Sequence, residues 1–405
     1  MRAAPRARAA VTGLGCVTAL GKTHADTWSN VYLGRSARAP LTAIETEGCR
    51  VREGAQAELP DLGGLNARQL SRLSRASRLA LPALRDALHQ AGLLDEHGRS
   101  RLPRFDICAS TTACGMEKGE EFLRGVWSGR NVGQTTRVRH YQAQQQIREM
   151  QQFFGFAGPS MIVANACAGG GNAIGHAADL IRSGLAEAVL AGGYEALCDL
   201  VFAGFDCLQS LAPEQCRPFD TGRNGLMLGE GAAFLVIESE ESAKRRGAEI
   251  LGFVTGYGHG TDKGHLTQPS QDGAPLEAAM RMALKDAQTG ANEIDYVNAH
   301  GTGTPLNDRA EAAAFARIFG ETGARLSSTK AALGHTLGAA GAIEAVLCLL
   351  ALRSGQIPPQ INLQDPEPLV ADALARTGER AEIKTAMSIN LGFGGSTAAL
   401  VLAQP

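Results

Sequence analysis

Three side chains in this sequence are suited to carbonyl chemistry, and each follows an apolar stretch that runs into glycine. Cys167 lies in MIVANACAGGGNAIGHAADLIRSG (Met161 to Gly184). Met161 to Val163 are β-leaning, and Ile174, Ala177, Ala178 and Ile181 beyond the three glycines have helical spacing. A strand turning sharply into a helix leaves the turn residue at the helix N-terminus, where free N–H groups and the macrodipole favour an anion. A cysteine there is expected to lose its proton readily, and the thiolate is the nucleophile. The same residue also fits a buried structural cysteine on a tight turn. His300 ends the strand-like YVNAH before GTGTPLND. Lys330 and His335 lie in SSTKAALGHTLGAAGAIEA, which also carries Glu344. A lone histidine is ordinarily a satisfied core or surface residue. One cysteine with two histidines, each on a strand-end glycine loop, points to a nucleophile with polar assistants.

The elements that must position these groups alternate. Strand signals fall at 9–21, 105–109, 187–193 and 232–238, and again at 251–257, 296–300, 326–329, 385–390 and 398–402. Helical patterns fall at 65–92, 142–152, 169–184, 275–289, 308–319 and from Lys330 to about 352. Strands alternating with helices twice over imply α/β layers in two related halves, 1–250 with the cysteine and 251–405 with both histidines. The stretch to about residue 64 reads as irregular. Along 65–92, taken as one helix, Arg68, Arg72 and Arg75 form a basic stripe, either a solvated face or a dock for an acidic partner.

The bulk properties exclude several classes. A formal net charge of -2 gives no overall attraction to nucleic acid or a membrane surface. No apolar run is expected to reach the roughly 18 residues of a membrane span, and the basic, Ala-rich start lacks the apolar region of a signal peptide. Nine scattered cysteines without a CxxC pair argue for a reducing compartment, not a disulfide framework or zinc site. GLG near the start lacks GxGxxG spacing, and no complete phosphate loop follows, so a nucleotide-binding protein is disfavoured.

NACAGG around Cys167, NAHGTGTPLND around His300, TKAALGHTLGAAG with Lys330 and His335, and GFGG at 392–395 resemble an elongating β-ketoacyl-acyl carrier protein synthase over nearly the whole chain. The resemblance implies the thiolase fold, five layers α-β-α-β-α with two pseudo-symmetric halves, acting as a dimer. It implies that Cys167 accepts an acyl chain from a carrier protein's phosphopantetheine arm. His300 and His335, both neutral, hold the malonyl thioester oxygen as CO2 leaves, and the N–H groups of Cys167 and Phe393 form the oxyanion hole. Lys330 tunes the His335 surroundings with Glu344 behind it, Thr302 and Thr304 hold the pantetheine, and Phe393 gates an acyl pocket lined by Phe205. Arg68, Arg72 and Arg75 become a carrier-protein dock. No metal or redox cofactor is implied, and the expected location is the cytoplasm.

Departures from the family pattern are Asn165 for Thr two residues before the nucleophile, the bare triple glycine, Ser396-Thr397 for Thr-Asn, Asn307 for Gly, and Ser110 to Gly115 for a glycine-rich loop. Ala113 falls where a bulkier aliphatic often closes the pocket floor at the dimer interface. A small residue there implies a deep pocket for long or rigid unsaturated chains, as in a polyene or polyketide ketosynthase pairing with itself or with a chain-length-factor subunit. Two alternatives share the fold: a non-catalytic chain-length factor, which usually lacks the cysteine, and a thiolase acting on CoA esters.

Overall fold

The computed structural model describes residues 7–63, 65–130 and 135–405; the basic residues 1–6 lie outside it. Ten strands form its main sheet. They are β1 (Ala9–Thr18), β2 (Asp106–Ser110), β3 (Ser160–Val163), β4 (Ala188–Glu195), β5 (Gly231–Ser239), β6 (Gly252–Thr261), β7 (Tyr296–Asn298), β8 (Arg325–Ser327), β9 (Thr385–Leu391) and β10 (Ser396–Ala403). Their order is β8-β7-β9-β10-β6-β1-β5-β4-β2-β3. Read outward from the β1–β6 seam, the two halves repeat one topology. The second strand out is antiparallel to both of its neighbours, and the outer pairings are parallel. Along the sheet, the seam between β1 and β6 consists of three strand pairs: Ala9 with Val254, Ala10 with Phe253 and Val11 with Gly252.

Both faces of the sheet are covered, which is why its strands read as continuous apolar runs. In β5, Ala233, Leu235 and Ile237 enter one core cluster and Ala232, Phe234 and Val236 another. In β10, Leu400 and Leu402 share the first cluster, while Ala399 and Val401 enter a third. Six helices fill these spaces: α1 (Arg75–Gln90), α2 (Ala143–Phe154), α3 (Gly169–Arg182), α4 (Ala274–Ala287), α5 (Pro305–Phe319) and α6 (Ala340–Ser354). α3 and α6 occupy the shared central cluster, α1 and α2 the outer face of the first half, and α4 and α5 that of the second, giving five layers. Glycine permits the closest approaches. A Cβ at Gly15 would strike the Ala83 carbonyl of α1, so the GLG motif is packing, and one at Gly170 would meet Ala342 N of α6 at 2.7 Å.

Three expectations need correction. Residues 65–92 are not one helix. Asn66 caps a short helix Ala67–Leu70 through a capping box with Gln69, and Ser74 caps a new one by accepting from Ser77 N at 3.0 Å. The arginine stripe is therefore broken. Leu337–Ser354 is apolar and long enough to cross a membrane, with mean hydropathy 1.6, but 83% of it is buried between the layers as a core helix. The segment before residue 64 is not wholly irregular, because His24–Tyr32 is a helix capped by Thr23.

Candidate active site

Cys167 is the middle residue of a tight turn, Ala166–Ala168, between β3 and α3, and Ala166 takes a left-handed φ of 54°. Such strain in a non-glycine residue persists only where packing enforces it. The buried sulfur faces a cavity of about 430 Å³ that His300, His335, Thr302, Thr304, Phe205 and Phe393 also line. Burial pushes the Cys167 thiol up to about 12. The Lys330 charge and the backbone N–H groups of Phe393 and Cys167 pull only partly the other way. The helix N-terminus therefore does not win, contrary to the sequence expectation of a readily lost proton: the resting group is a thiol.

His300 and His335 meet edge to face, with ring centroids 5.2 Å apart at 89°. Desolvation first and the Lys330 charge second hold both well below the ordinary histidine range, so both rings are neutral. Each Nδ1 is buried without a hydrogen-bond partner among the described residues. An unpaired buried acceptor is more often tolerated than an unpaired buried N–H. We therefore assign the ring proton to Nε2.

Lys330 and Glu344 form a buried contact ion pair, and Asn390 Nδ2 donates to the other Glu344 oxygen at 2.6 Å. This fixes a positive charge near the imidazoles and the sulfur. The start of α5 holds the His300 loop from behind. Glu311 accepts from the backbone N–H of His300 at 2.6 Å and of Gly301 at 2.7 Å. Asp308 accepts from Thr302 N at 3.0 Å. Burial and the neighbouring Asp308 raise Glu311 to about 8. Sequence reasoning did not single out these carboxylates, although their i, i+3 spacing at a helix start carries the signal. The Thr302 and Thr304 hydroxyls lie 2.9 Å apart.

Phe393 begins a turn through Gly394 and Gly395 and stacks on Phe205, with centroids 5.5 Å apart and planes at 20°. Gly392 backs directly onto the nucleophile turn, since a Cβ there would lie 3.1 Å from Cys167 N.

Ala113 is buried in its loop, outside this cavity of the single chain, with its N–H donated to Glu195 at 2.8 Å. Arg75 is no free docking cation. It forms an ion pair with the fully buried Glu230 and donates to the Ala57 carbonyl at 2.7 Å. Arg68 and Arg72 are exposed, and Arg72 borders a surface groove with Arg85, Arg99 and Arg139.

A thiol, two neutral imidazoles and two convergent amides on a doubled α/β scaffold define a condensing-type acyltransferase site. The family models Beta-ketoacyl synthase, N-terminal domain, and Beta-ketoacyl synthase, C-terminal domain, match residues 6–243 and 251–364. The chain belongs to the β-ketoacyl synthase family and is an enzyme of the 3-oxoacyl-acyl carrier protein synthase type. It is 36% identical over 404 residues to nodulation protein E of Rhizobium meliloti (strain 1021), covering 98% of this chain and 99% of that one. It is 33% identical over 425 residues to 3-oxoacyl-acyl-carrier-protein synthase 2 of Staphylococcus aureus (strain COL), covering 97% of each. Among solved structures, the ishigamide ketosynthase/chain length factor matches with a TM-score of 0.90 and 32% identity, covering 99% of this chain and all of that one. The ketosynthase ApeO in complex with its chain length factor ApeC from Xenorhabdus doucetiae matches with a TM-score of 0.84 and 29% identity, covering 98% of each.

Proposed function

We propose that this chain catalyses the decarboxylative Claisen condensation of an acyl thioester, carried on Cys167, with malonyl-acyl carrier protein. The products are 3-oxoacyl-acyl carrier protein and CO2. The observation that carries the reading is the convergence of Cys167, His300 and His335 on one cavity, with the Cys167 and Phe393 amides directed at the sulfur. As Sγ attacks the acyl carbonyl, the thiol gives up its proton, which passes to the departing pantetheine sulfur. The two amides receive the oxyanion, and collapse expels the pantetheine thiol. Malonyl thioester then binds with its carbonyl oxygen on the Nε2–H groups of His300 and His335. The bond to CO2 breaks, its electron pair forms the enolate, and the carbanion attacks the acyl-Cys167 carbonyl; the acyl–Sγ bond then breaks, its electron pair leaves on sulfur, and solvent returns the proton to the thiol. Neutral rings favour this step: an imidazolium would bind the malonyl carboxylate and stabilise the ground state instead.

Decarboxylation supplies both the carbanion and the driving force, so the reading calls for no metal or redox cofactor. Lys330 and Glu344 tune the imidazoles, Thr302 and Thr304 hold the pantetheine arm, and Phe393 with Phe205 covers the acyl pocket. Acidic carrier proteins dock near Arg68 and Arg72. The ketosynthase–chain length factor pairs among the structural neighbours support a paired assembly, as a homodimer or with such a subunit, in fatty-acid, polyketide or polyene elongation. The reading includes a cytoplasmic location, where the thiol stays reduced. A silent chain-length factor is disfavoured because the cysteine and both histidines are present.

The test is incubation with a panel of acyl-carrier thioesters and malonyl-carrier, read by intact mass and CO2 release. Wild type gains one acyl group on Cys167. Cys167→Ala gains none and loses condensation by at least about 10⁴-fold, while malonyl decarboxylation continues. Acyl-protein accumulating on Cys167→Ala would refute the assignment.

A further inference from the structure

Asn165 and Ser396, two positions where the sequence departs from its family, lie against each other. Asn165 Nδ2 donates to Ser396 Oγ at 2.9 Å. Asn172 Nδ2 approaches the same oxygen at 3.4 Å, and its own Oδ1 accepts from the Tyr257 hydroxyl at 2.7 Å. Asn165 immediately precedes the strained Ala166 of the nucleophile turn. Ser396 closes the opposite turn, where Gly392 N donates to the Ser396 carbonyl at 2.7 Å. Between them, Gly394 and Gly395 both take left-handed φ, near 80°. A turn of two glycines has weak conformational preferences of its own, so its contacts must fix it.

We infer that the Asn165–Ser396 hydrogen bond is the clasp that registers the Phe393 amide on the Cys167 sulfur, making Asn165 a positioning residue for acyl transfer. The inference rests on the acyl-transfer reading above. One turn carries the nucleophile and the other carries an oxyanion donor, and this is a direct side-chain tie between them. The donor must sit at hydrogen-bond distance from a charge that exists only in the transition state, so a slip of about 1 Å costs rate and not binding. Asn165 Oδ1 is buried with no hydrogen-bond partner among the described residues. The amide is thus oriented by its nitrogen alone, at the expense of an unsatisfied acceptor.

The experiment compares wild type, Asn165→Ala, Ser396→Ala, the double variant and Ser396→Thr. It reads single-turnover acylation of Cys167 by acyl-carrier thioester, malonyl decarboxylation and thermal unfolding. Each alanine variant should slow acylation by about 10- to 100-fold, with donor KM changed by less than about twofold. The double variant should be no slower than the slower single. Ser396→Thr, which keeps the hydroxyl, should recover to within about threefold of wild type. Decarboxylation, which uses the imidazoles, should change by less than about threefold. Wild-type acylation rates in both alanine variants, multiplicative losses in the double variant, or equal losses in both partial reactions would each overturn the clasp. Should Asn165→Ala fail to fold, Ser396→Ala, which removes one oxygen, decides alone. If wild type itself takes no acyl group from any thioester, the acyl-transfer reading falls and the clasp with it.

Discussion

The two halves build the same turn twice and use it differently. After β3, Ala166–Ala168 enters α3 with Ala166 at φ 54°; before α6, Leu337–Ala339 does the same with Leu337 at φ 47°. The middle residue is Cys167 in the first turn and Gly338 in the second. In the first, the amides of Cys167 and Phe393 point at the sulfur. In the second, the Gly338 amide donates to Glu195 at 2.9 Å, at the end of β4. The same buried carboxylate also accepts from Thr112 N at 2.7 Å, Ala113 N at 2.8 Å and Thr111 Oγ1 at 3.1 Å. One turn is filled by the chain's own carboxylate, and the other faces an open cavity, where the proposed reaction puts the substrate's developing charge. A scaffold that can hold a negative charge thus becomes structural or catalytic according to which group fills it.

The comparison can be broken first at the open turn. Lys330→Met leaves Glu344 buried and unpaired, costing about 3–5 kcal/mol. It also removes the charge that depresses both imidazoles. Their pKa values should rise, though burial still holds them below the ordinary histidine range, so the acid-side fall of malonyl decarboxylation should move to higher pH than in wild type. A profile unchanged by the substitution would exclude the tuning role. At the sulfur, the rate of Cys167 alkylation by iodoacetamide should rise about tenfold per pH unit from 7 to 9, because a raised pKa keeps the thiol protonated there. A plateau reached below pH 8 would show that burial does not dominate.

Next in size is the filled turn. Glu195→Gln keeps the shape but gives up the charge that accepts these bonds, and should lower stability by about 1–3 kcal/mol in urea unfolding. Acylation per folded molecule should stay close to wild type; a loss comparable to that of Cys167→Ala would mean that the second turn is also chemical. The smallest effect should come from outside both turns. Charge reversal at Arg68 and Arg72 should raise carrier-protein KM about tenfold without affecting a small thioester mimic. Equal changes with both substrates would remove the docking role.

Much of this was legible in the residues. The alternation of apolar runs with helical spacing gave most elements, because both sheet faces are covered and the strands read as continuous apolar runs. Glycine loops after strands marked where Cys167, His300 and His335 emerge. Properties that depend on distant packing were not legible. The stripe containing Arg75 looked continuous because periodicity does not register the cap at Ser74 or the partner at Glu230. The thiol's acidity was misread because a helix N-terminus is a local feature, whereas desolvation comes from the whole enclosure. Glu195 carried no motif that could be read without knowing which amides it meets. The departures at Asn165 and Ser396 were visible separately, but not that they are partners.

The narrow seam of three residue pairs between β1 and β6 has a consequence for timing. The sulfur comes from one side of it, and the imidazoles and the Phe393 amide come from the other. As the polypeptide is synthesised, the first half emerges before the second, and the face of α3 that α6 covers must wait for it. During that interval Cys167 has neither the two imidazoles nor the Phe393 amide beside it. On the proposed mechanism, catalysis therefore begins only when the late-made half closes against the early one.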